Sequence, residues 1–437
     1  MRNSLRLLLG TLLIGVSMLP ARGMEAPAAP APAAAEHGAE TTDAAAPAPE
    51  PEGEGGAARE EPPAALAEGR DTQWSQSRSP MPFDVMRSVQ FLQDQVARGN
   101  VRAIRVQALL LRRFGATFLE AAPEVWSDPR NTRAVVLFTF SGGTPDVIQA
   151  LLRENRLPEG EKPLFEGALA YVRNDLPAAA KKLEAVSVDA LEPVLAAQVS
   201  LALGQIHQFD QPAEAIENLT RARLLAPGTL IEEAALRLGV PLVDESGDHQ
   251  GGDRLARRYF DAFHDSSYVS NFETRYVAMV VGRAMPDAHA ALLTMDAVVD
   301  ALPVDRRQRL YLAAARRSLV SGNLRFAAIA SDRAVELGEL QPGDLARAVL
   351  YHAASSLGVD GQDASRAALD GIDRDLLHAE DAKLLDAAYS VLDSMVKPAL
   401  LSEASNVPPD PPETSTILSR ARAALDAASH EMKKSDP

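Results

Sequence analysis

The chain carries eight histidines: His37, His207, His249, His264, His289, His352, His378 and His430. A helical zinc site needs two imidazoles one turn apart, as in HExxH, so that both lone pairs converge on one ion. No two of these histidines stand three or four residues apart, so no metal site is expected. There is no cysteine, which removes thiolate nucleophiles, cysteine metal sites, disulfides and thiol redox chemistry together. Gly142-Gly143 and Gly251-Gly252 are short loop breaks without phosphate-cradling spacing, and no serine sits in a GxSxG elbow. Adjacent acids such as Glu232-Glu233 arise by chance where 24 % of residues are charged, and one of the pair is expected simply to face solvent. Glycosidase-type carboxylates pair in space rather than in sequence, so that chemistry stays open. No catalytic, cofactor-binding or metal-binding residue is assigned, no cofactor is expected, and partner-binding residues are unknown. Two arginine clusters stand out: Arg254, Arg257 and Arg258, then Arg306, Arg307, Arg309, Arg316 and Arg317. They could pair with the chain's own carboxylates on solvated faces, or form a docking face for an acidic partner segment.

The elements that must position these groups read as helices. Val85, Val89, Leu92 and Val96 repeat at helical spacing and stop at Gly99-Asn100; Ile104, Ala108, Leu111 and Phe118 make the next stripe. Asp128-Pro129 is a cap followed by a first-turn proline, opening a helix through Val135 to Phe140 that ends at Ser141-Gly142-Gly143. Thr144-Pro145 repeats that start signal. Further on, Ala215, Leu219, Ala222 and Pro227 have the spacing of a tetratricopeptide second helix, with Val199, Leu203 and Ile206 in the first. Ala179, Leu183 and Val186 repeat the pattern one unit earlier. A third unit begins at Leu310, turns at Gly322-Asn323 and continues through Ala327 and Ala334. A fourth helix pair falls between Leu345 and Ile372, with Gly358 and Gly361 between its halves. The expected fold is all-α, a helix-turn-helix array that is partly a tetratricopeptide-like superhelix. Stacked helix pairs bury together a core that no single pair could.

The ends of the chain read differently. Residues 1–23 have the form of a secretory signal: Arg2 and Arg6, an apolar run from Leu7 to Leu19, then Ala21-Arg22-Gly23 before a cleavage expected at Met24. That run is shorter than the ~20 residues of a membrane span. Residues 24–80 are an acidic Ala/Pro-rich linker with too little apolar surface to offset the entropy of ordering, and are expected to be disordered. An N-terminal helical region over 81–158 and a repeat region over 159–400 follow. Residues 401–437 hold a proline-rich break and an amphipathic helix through Ile417, Ala421, Leu425 and Ala428. The net charge of -16 becomes more negative once the signal's arginines are lost, which argues against nucleic acid and anionic membrane surfaces as main partners. The mature chain is expected outside the cytoplasm with no membrane span.

Several stretches resemble a known family. Met86-Arg87-Ser88-Val89-Gln90-Phe91-Leu92-Gln93-Asp94 followed by Gly99, Asp128-Pro129-Arg130-Asn131, Ser141-Gly142-Gly143-Thr144-Pro145 and Arg306-Arg307-Gln308-Arg309-Leu310-Tyr311-Leu312 are similar in order and spacing to the periplasmic motility protein C (MotC) family of alphaproteobacterial flagellar motors. The most specific piece is Ala222-Arg223-Leu224-Leu225-Ala226-Pro227-Gly228-Thr229-Leu230-Ile231-Glu232-Glu233-Ala234-Ala235-Leu236-Arg237. The resemblance covers roughly residues 83–335 and implies a non-enzymatic, exported protein that works in the periplasm and is required for motility. It implies the periplasmic part of the stator protein MotB as partner and an effect on torque generation. It supplies no catalytic or partner-contact motif to carry over. The readings outside it are a general envelope adapter with tetratricopeptide-like repeats and a helical enzyme acting on cell-wall polysaccharide.

Overall fold

Proline opens helix after helix in this chain. Its φ is already helical, and its missing N–H falls where no intrahelical acceptor exists. Pro82, Pro129, Pro145, Pro163, Pro177, Pro193, Pro212 and Pro342 all stand in a first turn. A computed structural model describes residues 80–359 and 361–396. The signal over 1–23, all but the last residue of the linker over 24–80, and the break and helix over 401–437 lie outside the described residues. Among the described residues there are seventeen α-helices and no strand, the all-α array expected from periodicity.

The described residues divide into two compact units between Ser270 and Asn271. In the first, α1 (Pro82–Ala97) pairs with α2 (Val101–Leu119). Then come α3 (Pro129–Phe140), α4 (Pro145–Arg153), α5 (Lys162–Val172), α6 (Leu176–Leu183), α7 (Pro193–His207), α8 (Pro212–Leu225), α9 (Leu230–Glu245) and α10 (His249–Phe263). Helix α11 (Val269–Arg283) begins at the division. The second unit continues with α12 (Ala288–Val299), α13 (Val304–Ser321), α14 (Leu324–Glu336), α15 (Pro342–Ser356), α16 (Gln362–Asp370) and α17 (Ala379–Val396). Short turns make consecutive helices antiparallel neighbours: α5 packs on α6, α7 on α8, α9 on α10, α13 on α14 and α15 on α16.

The first core runs from α1 to α7. It holds an aromatic contact between Phe118 and Phe138, with ring centroids 4.4 Å apart, together with buried Val89, Ile148, Leu151 and Phe165. A smaller cluster joins α7, α8 and α9 through Leu201, Leu219, Ala222 and Leu238. The expected tetratricopeptide-like positions Ala215, Leu219 and Ala222 all face this interior. Close approach is possible because α7 has glycine at the crossing. A Cβ at Gly204 would lie 2.7 Å from Cγ of buried Leu219 and 3.3 Å from the Ala215 carbonyl oxygen. Gly204→Ala is therefore expected to lower the melting temperature, although alanine is the better helix former by about 1 kcal/mol. A rise on thermal denaturation would show that Leu219 can give way.

Some local expectations need correction. Val186 lies beyond the end of α6, because the chain leaves the helix after Leu183 and bends into a short 3-10 turn over Val188–Ala190. Thr144 precedes α4 as expected, yet its side chain makes no capping bond. Asp128 does cap α3, accepting from the Arg130 N–H at 2.9 Å. The turn at Gly322-Asn323 forms as read: Gly322 adopts φ 84° and Asn323 caps α14 at the Phe326 N–H. Periodicity did not single out α5, α9, α10, α12 or α17, and Gly251-Gly252, read as a loop break, lie inside the first turn of α10, where Asp248 caps at the Gly251 N–H.

Candidate interaction surfaces

Glu232 and Glu233 do not follow the expectation that one of them faces solvent. Both are buried, because α10 packs across the first turns of α9. Glu233 pairs with Arg237 one turn on at 3.1 Å and accepts from the Tyr259 hydroxyl at 2.7 Å. Glu232 pairs with Arg258 at 2.8 Å and accepts from the Gly228 N–H. Arg237 also lies over the Tyr268 ring. Burial pushes the Tyr259 phenol far above its usual range, and the neighbouring Glu233 charge adds to that. A hydroxyl so held keeps its proton and acts as a donor. Each carboxylate is already matched by a cation and a donor, so the arrangement is a clamp between α9 and α10.

The second unit repeats this chemistry twice. Asp296 on α12 accepts from Tyr311 on α13 and Arg333 on α14. Asp381 on α17 accepts from Arg316 on α13 at 2.9 Å and Tyr351 on α15 at 2.8 Å, with Arg347 at 3.5 Å. Burial pushes the Tyr351 phenol up to about 12. The two sequence clusters of arginine are thus partly spent inside the fold. Arg258 and Arg316 reach buried carboxylates, Arg309 pairs with Asp305 at 2.8 Å, and Arg307 lies 3.7 Å from Asp300. Arg254 is exposed and stands 3.9 Å from Asp248, and Arg317 is exposed. No group of three or more histidines and acids is placed to hold a metal ion among the described residues.

A concave surface lies on the first unit where α1, α3, α7 and the start of α9 meet. It consists of two hollows sharing Gln90 and Val194. One, of about 220 Å³, is lined by Gln93, Asp94, Phe140, Ser141, Gln198 and residues 229–231. Gln93 spans it, donating to the Ser141 hydroxyl at 3.1 Å. The other, of about 260 Å³, is flanked by Phe83, Arg87, Arg130, Arg133 and Glu192. Here Arg130 stacks on Phe83 at 4.5 Å while bonded to Asp128, and Arg133 pairs with Glu192 at 3.3 Å. The surface mixes amides, apolar walls and balanced ion pairs, a mixture found at protein–protein interfaces.

Asp94 at this surface is raised above its ordinary pKa, mainly by burial, with Arg98 opposing. The folded state thus holds the proton more tightly than the unfolded chain. Below the ordinary value both states are protonated and nothing is lost. As pH rises through the folded value, the buried charge costs stability. Asp94→Asn is expected to stabilise the protein at pH 7 and to match the parent near pH 3 in urea unfolding.

Sequence reading missed the outer face of α2. Arg102, Arg105, Arg112 and Arg113 are all exposed and make no ion pair or hydrogen bond with a described residue. Between them Val101, Val106 and Leu109 are 64 %, 49 % and 59 % exposed. The signal was present in composition: α2 holds four arginines and no acid, within a chain of net charge -16.

Comparison with known proteins agrees with the sequence resemblance. The family model described as chemotaxis protein MotC matches residues 3–436. A relative, the chemotaxis protein MotC of Rhizobium meliloti (strain 1021), is 28 % identical over 328 residues, covering 75 % of each chain. Among solved structures, the tetratricopeptide domain of P58(IPK) aligns with 72 % of this chain and all of its own at 15 % identity; its TM-score of 0.20 lends no support to any assignment. No described helix is long and apolar enough to cross a membrane. Nearly the full length of the chain matches one family model, and a curated relative matches three quarters of it: the chain belongs to the chemotaxis protein MotC family, with a role in flagellar motility.

Proposed function

We propose that this protein works in the periplasm without catalysis, binds the periplasmic part of the flagellar stator protein MotB, and supports torque generation. Membership of the MotC family carries this reading. An array of helix pairs supports it physically, because such arrays present broad surfaces whose recognition needs area rather than a reactive constellation. The contact is assigned to the double hollow around Gln90 on α1, where apolar walls and amides together suit a partner side chain. Deleting the gene is expected to slow or abolish swimming while filaments still assemble; normal swimming would end the proposal. Osmotic-shock fractionation should release the mature protein, with an N-terminus near Met24. Immobilised protein should retain the periplasmic portion of MotB. Gln90→Trp, which fills both hollows from their shared wall, should weaken that retention at least tenfold with unchanged circular dichroism. Recovery of a different envelope protein in place of MotB would favour a general adapter.

A further inference from the structure

The free arginines of α2 call for an anionic occupant. Most other cationic side chains of this acidic molecule either have a carboxylate nearby or stand singly, whereas Arg102, Arg105, Arg112 and Arg113 share one helix face without a described partner. Like charges at helical spacing repel one another, and each gains from a shared counter-charge. The exposed Val101, Val106 and Leu109 between them offer strips for small apolar groups.

We propose that this face holds the chain's own acidic segment, residues 40–61. That segment contains Glu40, Asp43, Glu50, Glu52, Glu54, Glu60 and Glu61 against Arg59 alone, and its remaining residues are mostly Ala, Pro and Gly. Carboxylates meet the guanidinium groups, while alanine and proline cover the apolar strips. Chain geometry permits it. The turn at 98–100 makes α1 antiparallel to α2, so the chain enters α1 at Pro82 beside the C-terminal half of α2. The twenty residues between Glu61 and Pro82 reach at most ~70 Å, and α2 is ~28 Å long. A tethered segment acts at an effective concentration on the order of mM, whereas a free acidic partner must also approach a molecule of net charge -16. This inference is independent of which motor protein the chain binds.

Two full-length variants test it. One reverses the face (R102E, R105E, R112E, R113E). The other neutralises the segment (E40Q, D43N, E50Q, E52Q, E54Q, E60Q, E61Q) and leaves α2 intact. Because the chain lacks cysteine, Gly55→Cys with Ala116→Cys gives two unique spin-label sites in each background. At low salt the parent should show a label separation population below about 30 Å, and both variants should lose it. A fluorescent peptide of residues 40–61 should bind the segment-neutralised chain at least tenfold more tightly than the parent, and the face-reversed chain not measurably. Equal peptide affinity for parent and segment-neutralised chain would overturn the proposal, as would identical distance distributions in all three. So would equal, arginine-dependent sedimentation of parent and segment-neutralised chain with phosphatidylglycerol vesicles, which would make the face a membrane contact.

Discussion

Glu233→Ala should destabilise the first unit by about 3–5 kcal/mol, because it leaves Arg237 as an uncompensated charge in a dry interior. Both side chains are nearly inaccessible, at 0 % and 2 % exposure for the two residues, so water cannot replace the lost partner. The Tyr259 hydroxyl loses its acceptor at the same time. Arg237→Ala should cost a similar amount, for the mirror-image reason. The double replacement Glu233→Met with Arg237→Met should recover the greater part, since a buried ion pair gains little over well-packed apolar side chains once both charges are gone. Urea unfolding followed by circular dichroism measures all three. Single variants costing under about 1 kcal/mol would mean that the pair behaves as a solvated surface bridge. The clamp would then not be what holds α10 on α9.

Gly99→Val should cost about 3 kcal/mol, combining two separate penalties. Gly99 has φ 91°, a region that costs a β-branched residue about 1–3 kcal/mol. A Cβ there would also sit 2.4 Å from the Asp265 carbonyl oxygen, a backbone atom that cannot swing aside. The approach is close because the Ser267 N–H donates to the Val96 carbonyl at 3.1 Å, drawing the turn after α10 onto the end of α1. Gly99→Asn separates the two causes. Asparagine tolerates the left-handed region, so conformational strain alone would make it nearly harmless. The steric cause predicts that Asn is also strongly destabilising. A thermal melt of Gly99→Asn matching the parent would show that the backbone around Asp265 yields.

The helices themselves were largely legible in the chain. Val85, Val89, Leu92 and Val96 mark α1, Asp128-Pro129 starts α3, and Gly322-Asn323 turns α13 into α14. These signals are local: they depend on a 3.6-residue period, a capping oxygen or a positive φ, all set within a few residues. The missed boundary at α6 is instructive. Ala179, Leu183 and Val186 keep the right spacing, but spacing reports only which residues could share a face, not whether the backbone continues to the third.

Charge was the least legible property. Glu232 and Glu233 looked like a chance pair, and nothing in their neighbours marks them as buried; burial comes from α10, and Arg258 is twenty-six residues away. The arginines of the sequence clusters end against carboxylates such as Asp381, sixty-five residues from Arg316. The four arginines of α2 stand in solvent on one helix face with no ion pair to a described residue. Composition and periodicity, which are properties of neighbouring residues, mark an acidic, cysteine-free chain of helix pairs, and motifs such as Ala222 to Arg237 carry its resemblance to a motility family. Only the tertiary structure decided which charges are clamped and which are free, because a salt bridge needs two groups within about 4 Å, and packing alone brings distant residues that close.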